Sequence, residues 1–115
     1  MAQIQYASST FAPKTMYGRT LTLNFTSGLA GTMTITFDSA GGGNYTLSSY
    51  PPGSVTSYDW TQEPYRGLLW PVYFSGLVPL TAELDFASNT SGTFSGTFYS
   101  GSPFSVLGTF SMAGP

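Results

Sequence analysis

A chain of 115 residues that is 41% hydrophobic and 17% aromatic has the length of one domain, 1–115, and enough apolar mass for a core. Only 7% of its residues are charged and its net charge is −2, with Lys14, Arg19 and Arg66 as the whole basic complement, so no nucleic-acid-binding patch can be assembled. Without cysteine or histidine, the chain is excluded from disulfide and thiol chemistry, from zinc sites built on Cys or His, and from a Ser-His-Asp triad.

The five carboxylates, Asp38, Asp59, Glu63, Glu83 and Asp85, show no calcium-loop spacing. No metal site and no cofactor are expected. No apolar run approaches the ~20 residues of a membrane span. The low charge and abundant Ser and Thr favour an exported or periplasmic protein. The opening "MAQIQYASST" is not a signal peptide, which leaves a cytoplasmic location open. The Asn-x-Ser/Thr sequons at Asn24, Asn44 and Asn89 read as chance occurrences.

Residues 1–16 form an N-terminal segment, in which "QIQYASSTF" adds a strand if it pairs. "TLTLNFTS" then places Leu21, Leu23 and Phe25 on one face and Thr20, Thr22, Asn24 and Thr26 on the other. "TMTITFD" repeats the alternation with Met33, Ile35 and Phe37. Period-two alternation is the mark of a half-buried strand, and the intervening "GLAG" makes the two a hairpin. "DSAGGGN", Asp38–Asn44, lacks the Lys-Ser/Thr ending of a phosphate loop and has no following helix, so it reads as a hairpin turn. "NYTLSSY" is the third strand, "PPGS" a break, and "SVTSYDW" the fourth strand.

"TQEPYRG" reads as a loop, and "LLWPVYF" as the fifth strand. Pro71 cannot donate to a ladder, so it marks a bulge or an edge there. "LTAELDF" directs Leu80, Ala82, Leu84 and Phe86 inward. "TFSGTFY" carries Phe94 and Phe98 on one face with Gly96 between them. "FSVLGTFSM" closes the chain with Phe104, Val106, Phe110 and Met112 on one parity. Eight strands, or nine with the N-terminal one, joined by short turns favour an all-β, antiparallel up-and-down barrel, because closure removes the sheet's edges. A two-sheet sandwich is the alternative.

The stretches "YGRTLTLNFTSGLAGTMTITFDSAGGGNYTL", "YDW", "LTAELDFASNTSGTFSGTF" and "LGTFSM" together carry a family resemblance. Over residues 17–112 the chain resembles small bacterial lipocalin-like (calycin-type) barrels. The resemblance implies a barrel with a small-molecule cavity, and it assigns no catalytic residue.

Candidate ligand-binding residues concentrate in "YDWTQEPYRGLLWPVYF", Tyr58–Phe74. Tyr58 and Trp60 share one face of their strand, and Asp59 takes the other. Trp70 shares parity with Leu68, Val72 and Phe74, which predicts an inward indole, either as core or as a stacking wall for a planar ligand. Tyr65 and Arg66 lie on the rim, where Arg66 either forms a solvated pair with Glu63 or orients a ligand. Arg19 shares parity with Leu21 and, if the strand begins that early, points into one barrel end. There it pairs with a carboxylate, stacks on Trp60 or Trp70, or binds a ligand carboxylate. Glu83 and Asp85 stand side by side on the outward face of their strand, which is the wrong arrangement for glycoside hydrolysis.

The expected function is small-molecule binding in an apolar, aromatic-lined cavity. The expected partner is a small apolar or aromatic molecule, and the site is built from Arg19, Tyr58, Trp60, Tyr65, Arg66, Trp70 and Phe74. Two alternatives stand beside it. One is a cofactor-independent cyclase or isomerase acting on an apolar substrate. The other is a structural or adhesive module of an exported protein, with a filled barrel.

Overall fold

The computed structural model describes residues 11–114. Eight strands follow one another: β1 (Thr20–Ser27), β2 (Thr32–Phe37), β3 (Gly43–Leu47), β4 (Tyr50–Gln62), β5 (Arg66–Phe74), β6 (Leu80–Phe86), β7 (Ser91–Phe98) and β8 (Phe104–Ala113). Each pairs antiparallel with the next, and β8 returns to β1, so the sheet is a closed up-and-down barrel. The sandwich alternative is thereby set aside. The described residues contain no helix, and hence none long and apolar enough to cross a membrane. The proposed N-terminal strand falls almost wholly outside the described residues.

Alternation places the core. Leu21, Leu23, Met33, Ile35, Leu80, Leu84 and Val106 are fully buried, and the Thr and Ser residues between them mostly face outward. Full burial of such a side chain is worth about 1.5–3 kcal/mol. Phe37 and Phe98 are also almost completely buried, so the interior is occupied by side chains.

Large rings fit inside so small a barrel because glycines face them. Phe94 is paired across β7–β8 with Gly108, and Phe110 with Gly92. A Cβ on Gly108 would lie 2.9 Å from Phe94 Cε1, and one on Gly92 would lie 2.9 Å from Phe110 Cε1. Tyr45 covers its β4 partner Gly53 in the same way. Of the three glycines in the repeated Gly-Thr-Phe sequence, Gly92 and Gly108 thus face a ring, whereas a Cβ on Gly96 would lie nearest the Thr81 carbonyl oxygen.

Two strands depart from the sequence reading. β4 runs straight through "PPGS", because the register with β3 shifts between Tyr45 and Leu47 and the two prolines sit where no ladder hydrogen bond is required. β4 and β5 also extend into "TQEPYRG", leaving only Glu63–Tyr65 as a turn, closed by Glu63 N–H donating to Arg66 C=O at 2.8 Å. In β5 the register shifts between Leu69 and Val72, which places Pro71 in a bulge as expected. The Trp70–Pro71 peptide bond is cis.

Candidate functional site

The two ends of the barrel differ. At one end, the turn Glu63–Tyr65 and the segment leading into β1 meet. Phe11 N–H donates to Pro64 C=O at 2.8 Å, Trp60 Nε1 donates to Pro13 C=O at 2.9 Å, and Gln62 Nε2 donates to Ala12 C=O at 2.8 Å. Ala12 and Met16 are buried in the core cluster. The segment thus stoppers this end, and Trp60 is its fastening.

The predicted site residues divide between this stopper, the outer wall and the core. Tyr58 and Trp60 do share a face against the core, while Asp59 is exposed. The Trp60 indole, however, lies over Gly67, so its ring is packed as well as hydrogen-bonded. Arg19 donates from Nε to Thr15 C=O at 3.1 Å. Neither of the expected Arg19 partnerships, a carboxylate or a stacked indole, is recorded among the described residues.

Tyr65 sets its ring edge-on against Phe11, with centroids 5.3 Å apart. Arg66 Nε stands 2.9 Å from Glu83 Oε1, 3.4 Å from Asp85 Oδ1 and 4.0 Å from Glu63 Oε1. The expected Glu63 pair is thus the longest of three, and β6 supplies the stronger partners because Arg66 faces Asp85 across the ladder. Phe74 is a core residue, edge-on to Tyr45 at 4.9 Å.

Trp70 corrects the parity argument. Leu69 and Val72 both point inward, three positions apart, because the bulge inserts a residue between them. Trp70 is consequently turned outward and is 54% exposed. Its indole lines no part of the interior.

A cleft of about 190 Å³ lies beside the stopper, lined by Lys14, Met16, Tyr17, Tyr58, Asp59 and Trp60 among others. Tyr58 Oη is buried and finds no hydrogen-bond partner among the described residues. Burial pushes its phenol above the ordinary 10.0, with further upward pushes from Tyr17 and Asp38.

At the opposite end Leu29, Leu77 and Val78 pack, partly buried, against the core. Here an apolar cleft of about 220 Å³ is lined by Leu29, Leu47, Tyr50, Leu77, Val78, Phe98, Ser100 and Phe104. Leu29 comes from the β1–β2 turn, Leu77 and Val78 from the β5–β6 loop, and the others from strand ends and the turn after β7. Phe98 stacks on Phe104 at 5.5 Å, and Phe25 leans on Phe98 at 6.3 Å, so the floor is a fixed group of rings. No charged side chain lines this mouth. None of its residues was among the predicted site residues. The available signal was the presence of Leu29, Leu77 and Val78 inside turn segments, where polar residues are the norm.

No protein-family model matches the sequence, and no curated protein and no solved structure matches it either.

Proposed function

We propose that the protein is a non-catalytic binding module that takes a small apolar or aromatic molecule at the mouth of a filled barrel. The observation carrying this reading is the contrast between the ends: one is stoppered by residues 11–18, and the other presents an apolar cleft floored by Phe98 and Phe104. An apolar cavity of ~150 Å³ is enough for benzene. The mouth, at about 220 Å³, suits a ligand of one or two fused rings. The barrel topology is compatible with lipocalin-like kinship, which belongs to this proposal on the strength of the residue pattern over 17–112.

The isomerase alternative is less well supported, because acid–base chemistry needs a titratable pair around the substrate. Tyr50 is the one ionisable side chain lining the mouth, and Asp59 is exposed at the other end.

The test is a backbone-amide NMR titration with indole and 2-naphthol. Binding at the mouth shifts Leu29, Leu77, Val78 and Phe104 together and leaves Trp60 unmoved. Silence with both probes, or shifts confined to the stoppered end, overturns the proposal. Silence would favour the purely structural module.

A further inference from the structure

The outer wall carries a second feature, independent of the mouth. Trp70, displaced by the β5 bulge, exposes 54% of its surface instead of joining the core. It forms one bank of a groove of about 250 Å³ that crosses the sheet to Leu107 on β8, itself 48% exposed. With strands ~4.8 Å apart, the three spacings from β5 to β8 amount to about 14 Å.

The strand registers set the floor. Thr81 faces Thr97, which faces Ser105, and Glu83 faces Ser95, which faces Leu107. The floor is therefore hydroxyl-bearing with one carboxylate. Two of its members are held in place: Glu83 by Arg66 at 2.9 Å, and Thr81 by donating from Oγ1 to Tyr99 Oη at 3.4 Å.

These groups define the ligand. The indole offers a flat, electron-rich face to weakly positive C–H groups. The carboxylate and hydroxyls call for donors. An entirely apolar ligand would bury them unpaired, at a cost of ~1–3 kcal/mol each. An anionic ligand would meet Glu83, while the neighbouring Arg66 is already engaged by three carboxylates. We infer that this groove binds a neutral saccharide. One sugar ring stacks its C–H face on Trp70, and its hydroxyls donate to Glu83 and exchange hydrogen bonds with Ser95 and Thr97.

Native gel electrophoresis through hydroxyethyl cellulose, glucomannan and galactomannan tests this. The whole chain is retarded by at least one of the three. Trp70→Ala weakens the retardation about tenfold, the scale of a lost aromatic stack. Should Trp70→Ala fail to fold, Ser95→Lys, which fills an outward-facing floor position, removes retardation by itself. Tyr50→Ala at the mouth leaves retardation unchanged, which separates this site from the apolar one. Free migration of the wild type in all three polymers overturns the inference. So does retardation that survives both Trp70→Ala and Ser95→Lys.

Discussion

Tyr58 is the residue whose surroundings fit it least. Its ring packs edge-on to Phe37 at 4.6 Å, but its buried hydroxyl has no partner among the described residues. A buried polar group without a hydrogen bond is destabilising, and removing it while keeping the ring retains the packing. Tyr58→Phe is therefore expected to leave stability at pH 7 unchanged or raise it by up to about 1 kcal/mol, read by urea denaturation. The phenol also gives the wild type an alkaline weakness. Its folded pKa lies above the unfolded 10.0, so the folded state holds a proton that the unfolded state has already released. Stability from this group is complete below pH 10 and falls as pH rises toward the folded pKa. Tyr58→Phe should flatten that part of the decline. An undiminished alkaline loss in the variant would show that the phenol's burial is not its cause.

At the scale of elements, the β1–β8 ladder closes the sheet and glycines make room inside it, and two of these glycines separate cleanly by experiment. The three atoms nearest a Cβ on Gly67 all belong to the Trp60 indole, the nearest at 1.8 Å. At Gly108 the nearest atom is the backbone oxygen of Asn24, at 1.9 Å. Each alanine substitution should cost about 1–3 kcal/mol through overpacking. A double-mutant cycle distinguishes them: Trp60→Ala should relieve most of the cost of Gly67→Ala, whereas Phe94→Ala should relieve little of Gly108→Ala, because the strand itself stands in the way. Near-additivity at Gly67 would refute the side-chain account. The same elements show what the sequence reveals. All eight strands were legible, six of them near their observed bounds because alternation runs along Thr20–Phe25, Thr32–Phe37, Asn44–Leu47 and β6 to β8, whereas β4 and β5 extend further than the sequence shows. Trp70 was misplaced because parity arguments assume that no residue is inserted. Pro71 announced the bulge but did not say on which side of it the count would change. The candidate site was less legible. The expected barrel already sends alternate turns to opposite ends, but which turns line a cleft, and that residues 11–18 stopper the far end, depend on tertiary packing that no local pattern encodes.

For the molecule as a whole, closure assigns different work to its two ends. The stoppered end contributes to the core: Met16 is only 1% exposed and belongs to the same buried cluster as the barrel interior. The other end exposes part of its lining, Tyr50 at 52% and Phe104 at 37%, above the buried Leu47 and Phe98. A buried Met→Ala change removes packing that nothing replaces, whereas truncating an exposed ring removes little from the folded state. Met16→Ala should therefore lower unfolding free energy by about 2–4 kcal/mol while leaving the affinity for an aromatic probe such as 2-naphthol intact in the molecules that remain folded. Tyr50→Ala should do the reverse, shifting stability by no more than about 0.5 kcal/mol while weakening the probe severalfold. Chemical denaturation and probe titration on the two variants give four numbers that must fall into this crossed pattern. If Met16→Ala weakens the probe as much as Tyr50→Ala does, the ends are coupled through the packed interior, and the division of labour proposed for this barrel fails.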